Sequence, residues 1–345
     1  MLGFLLLIVF LLPRGFGQTS FQGFLLRHNK SYSSTAELQL RQQLYNQTVA
    51  EVEEHNRKFA AGLVSYSLAI NQFADLTPEE ISSRFQTLPR KSPNSSTLFH
   101  LRNSSFISDS VDWRQKEVVT AVKDQGNCGA CWAFSATGAL EGQLALKYHN
   151  LTSISEQQLL DCDKDNNGCS GGTVQEAFEY ARKHSLISEV LYPYQATQGS
   201  CRTGHPGLVR SGGYVDIAEG NETELQQAVA FIGPVSVAIN ADRIIKYSSG
   251  VFDDSCSTTV NHGLLAVGFG NESGQLYWIL KNSWGPSWGE DGYIRMVMGK
   301  GLCGIALQAC YPVGVTNQAS TRSHLFNYWL AWMGLFVLVV GKWNL

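Results

Sequence analysis

The sequence predicts an α+β protein in which a mainly helical half precedes a mainly β half. Apolar residues at helical spacing come first, at 131–148, 155–162 and 174–183. Short apolar runs typical of strands come later, at 235–239, 263–269, 277–281 and 292–298. Helices and strands that are segregated along the chain, rather than alternating, are typical of α+β folds.

The composition fits a globular chain with a large core. Of the 345 residues, 44% are hydrophobic and 16% are charged, and the formal net charge is -3. This balance gives no electrostatic reason to expect nucleic acid as a partner. The sequence shows no fixed-period repeat that would indicate a solenoid.

The N-terminus has the layout of a secretory signal. An apolar run at 2–12 is too short to cross a bilayer comfortably, and Pro13 and the small residues Gly15 and Gly17 follow it. The run has no Lys or Arg before it, and a buried N-terminal helix is the alternative. We interpret 1–17 as a signal peptide that is cleaved near Gly17.

A polar segment without cysteine extends over 18–106. Within 35–60, apolar residues such as Leu40, Leu44 and Val52 recur at helical spacing, and polar residues fill the other positions. This pattern predicts one long amphipathic helix.

The rest of that segment is shorter and less regular. A strand-like stretch lies at 65–70, and Thr77 followed by Pro78 is a good helix start, with Thr as the cap. Residues 89–105 are rich in Ser, Asn and Pro and are typical of a solvated linker. From residue 107 onwards Trp, Gly and Cys become frequent, so we place a domain boundary there.

A cysteine suited to nucleophilic chemistry stands at the start of the predicted helix 131–148. The N–H groups and dipole of a helix N-terminus favour a thiolate, which is the reactive form of Cys131. Cys128 and Cys131 form a CxxC pair that is ambiguous between a redox pair, half of a zinc site and a structural disulfide. We see neither a second metal-binding pair at matching spacing nor a βαβ context for redox chemistry.

Two further residues complete a catalytic pattern. His262 precedes an apolar strand, and Asn282 follows another strand in the sequence Lys-Asn-Ser-Trp-Gly. A lone histidine or asparagine at such a place is usually structural. The joint occurrence of Cys131, His262 and Asn282 at these separations instead favours a functional role for both residues.

At these residues the chain resembles the papain family, nearer its cathepsin L-like branch. The resemblance covers 21–313 and rests on four motifs: DQGNCGACWAFS at 124–135, GCSGG at 168–172, NSWG at 282–285 and CGIA at 303–306. It implies a papain-like two-domain fold behind a helical inhibitory propeptide at 18–106. The catalytic Cys would lie in a mainly helical domain at 107–217, and the catalytic His and Asn in a mainly β, barrel-like domain at 218–313.

The resemblance also implies a role for each site residue. Cys131 is the nucleophile, His262 its proton acceptor and later donor, and the two rest as thiolate and imidazolium. Asn282 orients the imidazole, and Gln125 with the N–H of Cys131 forms the oxyanion hole. The implied substrate-binding residues are Gly171, Gly172, Ala238, Gly263, Trp284 and Gln308.

The implied activity is that of a cysteine endopeptidase made as a zymogen, which acts on proteins and peptides through a thioester acyl-enzyme. A neutral Gln308 at the pocket floor leaves the subsite preference open, with an apolar side chain as our expectation. We expect a monomer without cofactor or metal, inhibited by its own propeptide and by cystatin-like inhibitors. A catalytically silent binding protein and a thiol–disulfide exchange protein are the alternatives.

The eight cysteines are also covered by the resemblance. It selects three disulfides, Cys128–Cys169, Cys162–Cys201 and Cys256–Cys303. Cys131 then remains for catalysis, and Cys310 is expected to be a buried thiol without a catalytic role.

Features at both ends of the chain predict export. Beside the signal peptide there are Asn-x-Ser/Thr sequons at Asn29, Asn46, Asn94, Asn103, Asn150, Asn221 and Asn271. We therefore expect a glycoprotein of the secretory pathway, lysosomal or extracellular.

The tail at 314–345 departs from the family pattern. A polar linker is followed at 325–341 by an almost wholly apolar run that is a marginal membrane span or a lipid-anchor signal. Removal of the tail during maturation is the alternative.

Overall fold

A computed structural model describes residues 20–84, the short strand at 97–98 and residues 107–318. The predicted signal peptide at 1–17 and the apolar run at 325–341 lie outside the described residues, as does most of the predicted linker. Within the described ranges no helix has the length and apolarity needed to cross a membrane.

The α-helices fall into two groups, one in the N-terminal segment at 20–84 and one after residue 107. They are α1 (Phe21–Arg27), α2 (Thr35–Ala60), α3 (Pro78–Ser82), α4 (Cys131–Tyr148), α5 (Glu156–Cys162), α6 (Val174–Lys183) and α7 (Glu222–Phe231). Short 3₁₀ turns occur at Trp113–Lys116, Gly168–Ser170 and Leu302–Gly304.

The strands are concentrated in the second half of the chain. They are β1 (Tyr66–Leu68), β2 (Thr97–Leu98), β3 (Val111–Asp112), β4 (Val209–Arg210), β5 (Gly213–Asp216), β6 (Val235–Ile239), β7 (Tyr247–Phe252), β8 (His262–Glu272), β9 (Gln275–Lys281), β10 (Tyr293–Val297), β11 (Ala309–Val313) and β12 (Thr316–Asn317). Among the described residues, ten of them form one sheet in the order β1-β7-β10-β9-β8-β6-β11-β5-β2, with β3 on β8. Most of the pairs are antiparallel, which fits an α+β fold.

Local sequence signals explain most of the predicted elements. α4, α6 and β6 have the predicted bounds, and the hydroxyl of Ser155 accepts the N–H of Gln158 to cap α5. At α3, Thr77 and Glu80 form a complete capping box. These predictions are confirmed.

The β half also contains a helix that the sequence analysis did not predict. This helix is α7, which lies between β5 and β6. Asn221 caps this helix by accepting the N–H of Glu224, and Leu225, Ala228 and Val229 bury one face of it. Their spacing of three and four residues is a helical signal that was overlooked among the stronger apolar runs.

The long helix of the N-terminal segment is confirmed, but its buried face differs from a simple apolar stripe. Tyr45 and Val52 are buried, whereas Leu40 is 46% exposed. Tyr45 packs against Phe21 and Phe24 of α1, so aromatic contacts within the segment select the face that is covered.

A polar cluster closes this N-terminal unit. The carboxylate of Asp75 is fully buried and accepts hydrogen bonds from Lys30 and Tyr32. Arg41 on α2 binds Glu80 on α3 through two hydrogen bonds, of 2.5 and 2.6 Å. Because the pair is bidentate, it fixes the position of α3 relative to α2 and also pairs the two opposite charges.

The part of the chain after residue 107 has two hydrophobic cores. One surrounds α4 and α6 and includes Trp132, Leu140 and Phe178, and the other fills the sheet around Trp278 and Trp288. The predicted disulfides Cys128–Cys169, Cys162–Cys201 and Cys256–Cys303 are present, so their pairing is confirmed. Cys310 is buried on β11 and forms none of them.

The Arg41–Glu80 pair predicts how stability depends on pH. Its hydrogen bonds lower the pKa of Glu80 from 4.5 to about 2, so the pair stabilises the fold above that window and not below it. Glu80→Gln in a Cys131→Ser precursor should lower the free energy of unfolding at pH 7 by about 1 kcal/mol or less, since Glu80 is partly exposed. The loss should shrink as the pH falls from 4.5 towards 2.

Thermal unfolding at pH 7 and pH 3 measures this effect. Glu53→Gln is the control, because Glu53 is an exposed carboxylate on α2, the helix that carries Arg41. An equal loss of stability at both pH values would contradict the role given to the ion pair.

Candidate active site

The sulfur of Cys131 sits at the first residue of α4. Ala130 precedes the helix and offers no side-chain cap, so no side chain of the N-cap residue satisfies the first N–H groups of α4. Burial raises the pKa of the Cys131 thiol, and the backbone N–H groups of Gly263 and Trp132, which face the sulfur, offset part of that rise. Gly263 directly follows His262, so the structure brings the predicted nucleophile next to the predicted base.

His262 and Asn282 come from adjacent antiparallel strands. His262 begins β8, and Asn282 follows the last residue of β9. The imidazole Nε2–H donates to Asn282 Oδ1 at 2.8 Å, and the backbone N–H of Ser283 donates to the same oxygen at 2.8 Å. This second bond fixes the orientation of the amide, so its oxygen must face the ring.

Small residues and hydroxyl groups let helix α4 approach strand β8. The hydroxyl of Ser135 donates to the carbonyl of Leu264 at 2.6 Å. A Cβ on Gly263 would lie 3.1 Å from the carbonyl oxygen of Cys131, which is tighter than ordinary contact. The strand that carries His262 is therefore held directly against the start of α4.

Trp284 covers the imidazole and its partner. Its ring centroid lies 4.7 Å from that of His262, and the side chain is 1% exposed. Trp288 meets it edge-on at 4.9 Å and 84°. The indole excludes water from the His262–Asn282 hydrogen bond, which strengthens that bond.

Gln125 is buried beside the start of α4 with its amide group fixed. Its Nε2 donates to the carbonyl of Cys128 at 2.9 Å and faces the carbonyl oxygen of Arg84 at 3.5 Å. The hydroxyl of Ser283 donates to Oε1 at 2.6 Å, which turns the NH₂ group away from the β half. The sequence analysis overlooked Ser283, although it lies inside the NSWG motif.

The N-terminal segment covers this site. Phe73 packs edge-on against Trp284 with centroids 5.3 Å apart, and Gln72 donates to the carbonyl of Trp284 at 2.8 Å. Cys131 and His262 are both fully buried. Burial raises the pKa of the Cys131 thiol to about 11 and lowers the pKa of His262 to about 4. With the segment in place, burial therefore favours the neutral thiol and imidazole, and the thiolate–imidazolium pair stays a prediction for the uncovered enzyme.

The predicted backbone-binding glycines lie on the helical side. Gly171 has a φ of 104°, and its carbonyl accepts the N–H of Asn167. A Cβ on Gly172 would lie 2.5 Å from Asn166 and 2.6 Å from Trp132. Glycine is required at 172 because the indole next to Cys131 occupies the space of a side chain.

The predicted pocket residues lie together on the β side. Ala238 on β6 pairs with Gly263 on β8, and its N–H donates to the carbonyl of Gln308 at 3.1 Å. The structure thus brings Ala238, Gly263 and Gln308 to one place, and Gln308 is half-buried there.

The disulfide between Cys128 and Cys169 bears on the redox alternative. With its sulfur bonded to Cys169, Cys128 cannot pair with Cys131. Thiol–disulfide exchange through the CxxC pair is therefore excluded for this form of the protein.

A buried charge cluster lies behind the site. Lys123 binds both Glu141, at 3.1 Å, and Glu156, at 2.5 Å, while Lys281 donates to Thr120. Burial raises the pKa of Glu156 to about 7 and lowers that of Lys281 to about 8. Breaking such a cluster is costly because it leaves a buried charge without a partner. The cluster therefore holds Lys281, the residue before Asn282, in place.

Comparison with known proteins agrees with this geometry. Residues 107–313 match the model of the papain family cysteine protease, and residues 21–81 match the cathepsin propeptide inhibitor domain. The first range contains the site, and the second contains the helices and most of the loop that cover it.

Similar curated proteins span most of the chain. Digestive cysteine proteinase 2 of Homarus americanus is 43% identical over 304 residues, which is 85% of this chain and 94% of that protein. Cathepsin L1 of Drosophila melanogaster is 43% identical over 312 residues, covering 84% and 83%. Cathepsin S of Mus musculus is 43% identical over 297 residues, covering 83% and 87%.

Solved structures of precursors share the fold. Digestive procathepsin L 3 from Tenebrio molitor larval midgut superimposes with a TM-score of 0.79 at 44% identity, covering 85% of this chain and 97% of that one. The chain therefore belongs to the papain family of cysteine proteases and is made as a precursor whose inhibitor domain precedes the protease.

Proposed function

We propose that Cys131 attacks the peptide carbonyl after transferring its proton to His262. Because Nε2 of the imidazole is hydrogen-bonded to Asn282, Nδ1 is the nitrogen that exchanges a proton with the thiol. The observation that carries the proposal is the close approach of the residue after His262 to Cys131, where a Cβ on Gly263 would lie 3.1 Å from the carbonyl oxygen of Cys131. This close approach supports a nucleophile and a base that act together from different halves of the protease.

The proposed reaction has two stages. Attack gives a tetrahedral intermediate whose oxyanion accepts hydrogen bonds from Gln125 Nε2 and the Cys131 N–H. His262 then gives its proton to the leaving amine, and a thioester remains on Cys131. Water, deprotonated by His262, hydrolyses the thioester and restores the thiol.

The site favours an extended polypeptide substrate. The Arg84 carbonyl faces the amide of Gln125 at 3.5 Å, which is where the carbonyl of a scissile bond would lie. We infer that Gly171 and Gly172 bind the backbone of a substrate, and that Ala238, Gly263 and Gln308 line a side-chain pocket with an apolar preference. Cystatin-like proteins are proposed as further inhibitors of the same cleft.

Export and modification form a second part of the proposal. We propose a secretory route to a lysosomal or extracellular space, in which acidic pH loosens the propeptide. The sequons at Asn29, Asn46 and Asn271 are exposed and so accessible to glycosylation, and those at Asn150 and Asn221 are half-buried. The sequons at Asn94 and Asn103 lie outside the described residues.

A thiol-directed, activity-based probe tests the nucleophile. The mature enzyme should be labelled at Cys131, whereas the precursor should not, because its thiol is buried and its pKa is raised. Cys131→Ser should abolish labelling, and Cys310→Ser should leave it unchanged. Mass spectrometry of the labelled peptide identifies the residue, and labelling of any other cysteine would refute the assignment.

Steady-state kinetics of the mature enzyme test the oxyanion hole. Gln125→Ala should lower kcat by about 10²–10³-fold with little change in KM, because the donor acts mainly in the transition state. Ser283→Ala, which leaves the amide but removes its orienting hydroxyl, should cause a smaller loss. Gln115→Ala is the control, since Gln115 is an exposed glutamine. A rise in KM with unchanged kcat would argue against this role for Gln125.

Membrane fractionation tests the tail. We propose that residues 325–341 attach the protein to a membrane, so the full chain should stay in the pellet after carbonate extraction, and a chain ending at Val313 should be soluble. Release by a phosphoinositide-specific phospholipase would indicate a lipid anchor rather than a span. A soluble full-length product whose intact mass ends near Val313 would show that the tail is removed.

A further inference from the structure

Among the described residues, a strand of the propeptide covers one edge of the central sheet. Strand β1 pairs antiparallel with β7, and β7 has β10 as its other neighbour. The N–H of Val251 donates to the carbonyl of Ser65 at 3.1 Å, and the N–H of Ala69 donates to the carbonyl of Lys246 at 2.8 Å. Release of the propeptide therefore leaves β7 as an open edge with its donors and acceptors exposed.

The shape of this edge suits a polypeptide backbone. Gly250 has a φ of 94°, and a Cβ there would lie 2.3 Å from the carbonyl oxygen of Ser65 and 2.8 Å from the Cα of Tyr66. The N–H of Gly250 points the other way, to Glu290 Oε1 at 2.9 Å. Glycine at this position lets another main chain come closer than any side chain would allow.

The two ends of the edge differ in charge. At one end, Asp253 accepts from the hydroxyl of Ser65 at 2.5 Å, and Asp254 accepts from the hydroxyl of Tyr66 at 2.6 Å. At the other end, Lys246 binds Glu51. Once the propeptide has left, the carboxylates favour a strand that carries hydroxyl or basic donors and disfavour an acidic one.

The edge and the catalytic cleft lie within reach of one chain. Only a few residues separate Leu68, at the end of β1, from Gln72, which donates to the carbonyl of Trp284. Trp284 stacks on His262. Because an extended residue spans at most about 3.3–3.6 Å, a polypeptide bound in the cleft can also reach the edge without a long linker.

We propose that the β7 edge of the mature enzyme is a second docking site for protein substrates, which captures an extended, donor-rich stretch by strand addition. The inference rests on the proposed catalytic role of Cys131 and His262, and it names unfolded, non-acidic polypeptides as the favoured substrates. Short peptides that fill only the cleft would gain nothing from the edge.

Ser249→Pro is the decisive variant. Successive N–H groups of a strand point to opposite sides, so the N–H of Ser249 faces the same edge as that of Val251. Proline removes this donor and is tolerated where the N–H of an edge strand points outwards. Ser249→Ala is the control, since it keeps the N–H and removes only the hydroxyl that contacts Ser67.

The experiment compares kcat/KM of the mature enzyme for reduced, carboxamidomethylated lysozyme, which is unfolded and basic, and for a dipeptidyl fluorogenic substrate. Ser249→Pro should lower the value for the unfolded lysozyme by about 2- to 10-fold, the effect of one net hydrogen bond, and leave that for the dipeptide unchanged. Asp253→Asn with Asp254→Asn is the second variant, in case the proline impairs folding. It should lower the value for a basic unfolded protein in the same selective way.

Each outcome decides the proposal. A selective loss on the protein substrate supports it, while no loss, or an equal loss on both substrates, overturns it. A concentration-dependent dimer of the mature enzyme that Ser249→Pro dissociates would also overturn it, because the edge would then hold a second copy.

A binding measurement tests the docking site independently of the catalytic assignment. If the wild-type enzyme does not cleave the dipeptide, the catalytic assignment fails. The edge is then judged by binding of labelled, unfolded lysozyme to a Cys131→Ser protein freed of its propeptide by an added protease. Weaker binding with Ser249→Pro supports the docking site, and unchanged binding overturns it.

Discussion

The close packing of α4 on β8 is the constraint on which the rest of the site depends. A Cβ on Gly138 would lie 2.9 Å from the side chain of Leu265, and one on Gly263 would lie 3.1 Å from the carbonyl of Cys131. The hydroxyl of Ser135 ties the helix to β8, and its carbonyl accepts from Ser236 on β6. Without these small and hydroxyl-bearing residues, the N-terminus of α4 and the imidazole of His262, which are far apart in the sequence, would not come into contact.

Burial of the site beneath the propeptide also makes it unreactive in the precursor. The propeptide covers Trp284 and faces Gln125 with a carbonyl, so Cys131 and His262 lose contact with water. Desolvation disfavours both charged forms, which raises the pKa of the thiol and lowers that of the imidazole. Inhibition thus has an electrostatic part as well as a steric one.

Much of the fold could be read from local signals. The capping pattern at Ser155 and Thr77 and the apolar runs of β6 and β9 gave elements close to those observed. Helix α7 was missed, and the exposure of Leu40 was not foreseen, because both depend on which face finds a partner elsewhere in the chain. Ser283 was overlooked for a similar reason, since its partner Gln125 is remote in sequence.

The sequence by itself determined the residue types of the site and the family, because the motifs around Cys131, His262 and Asn282 are specific enough to be recognised without coordinates. The pairing of the cysteines followed only from the family resemblance. Only the tertiary structure decided how Asn282 is oriented, which atoms the propeptide covers and which strand edge it leaves behind. These features depend on contacts between segments far apart in the chain, and no local periodicity encodes such contacts.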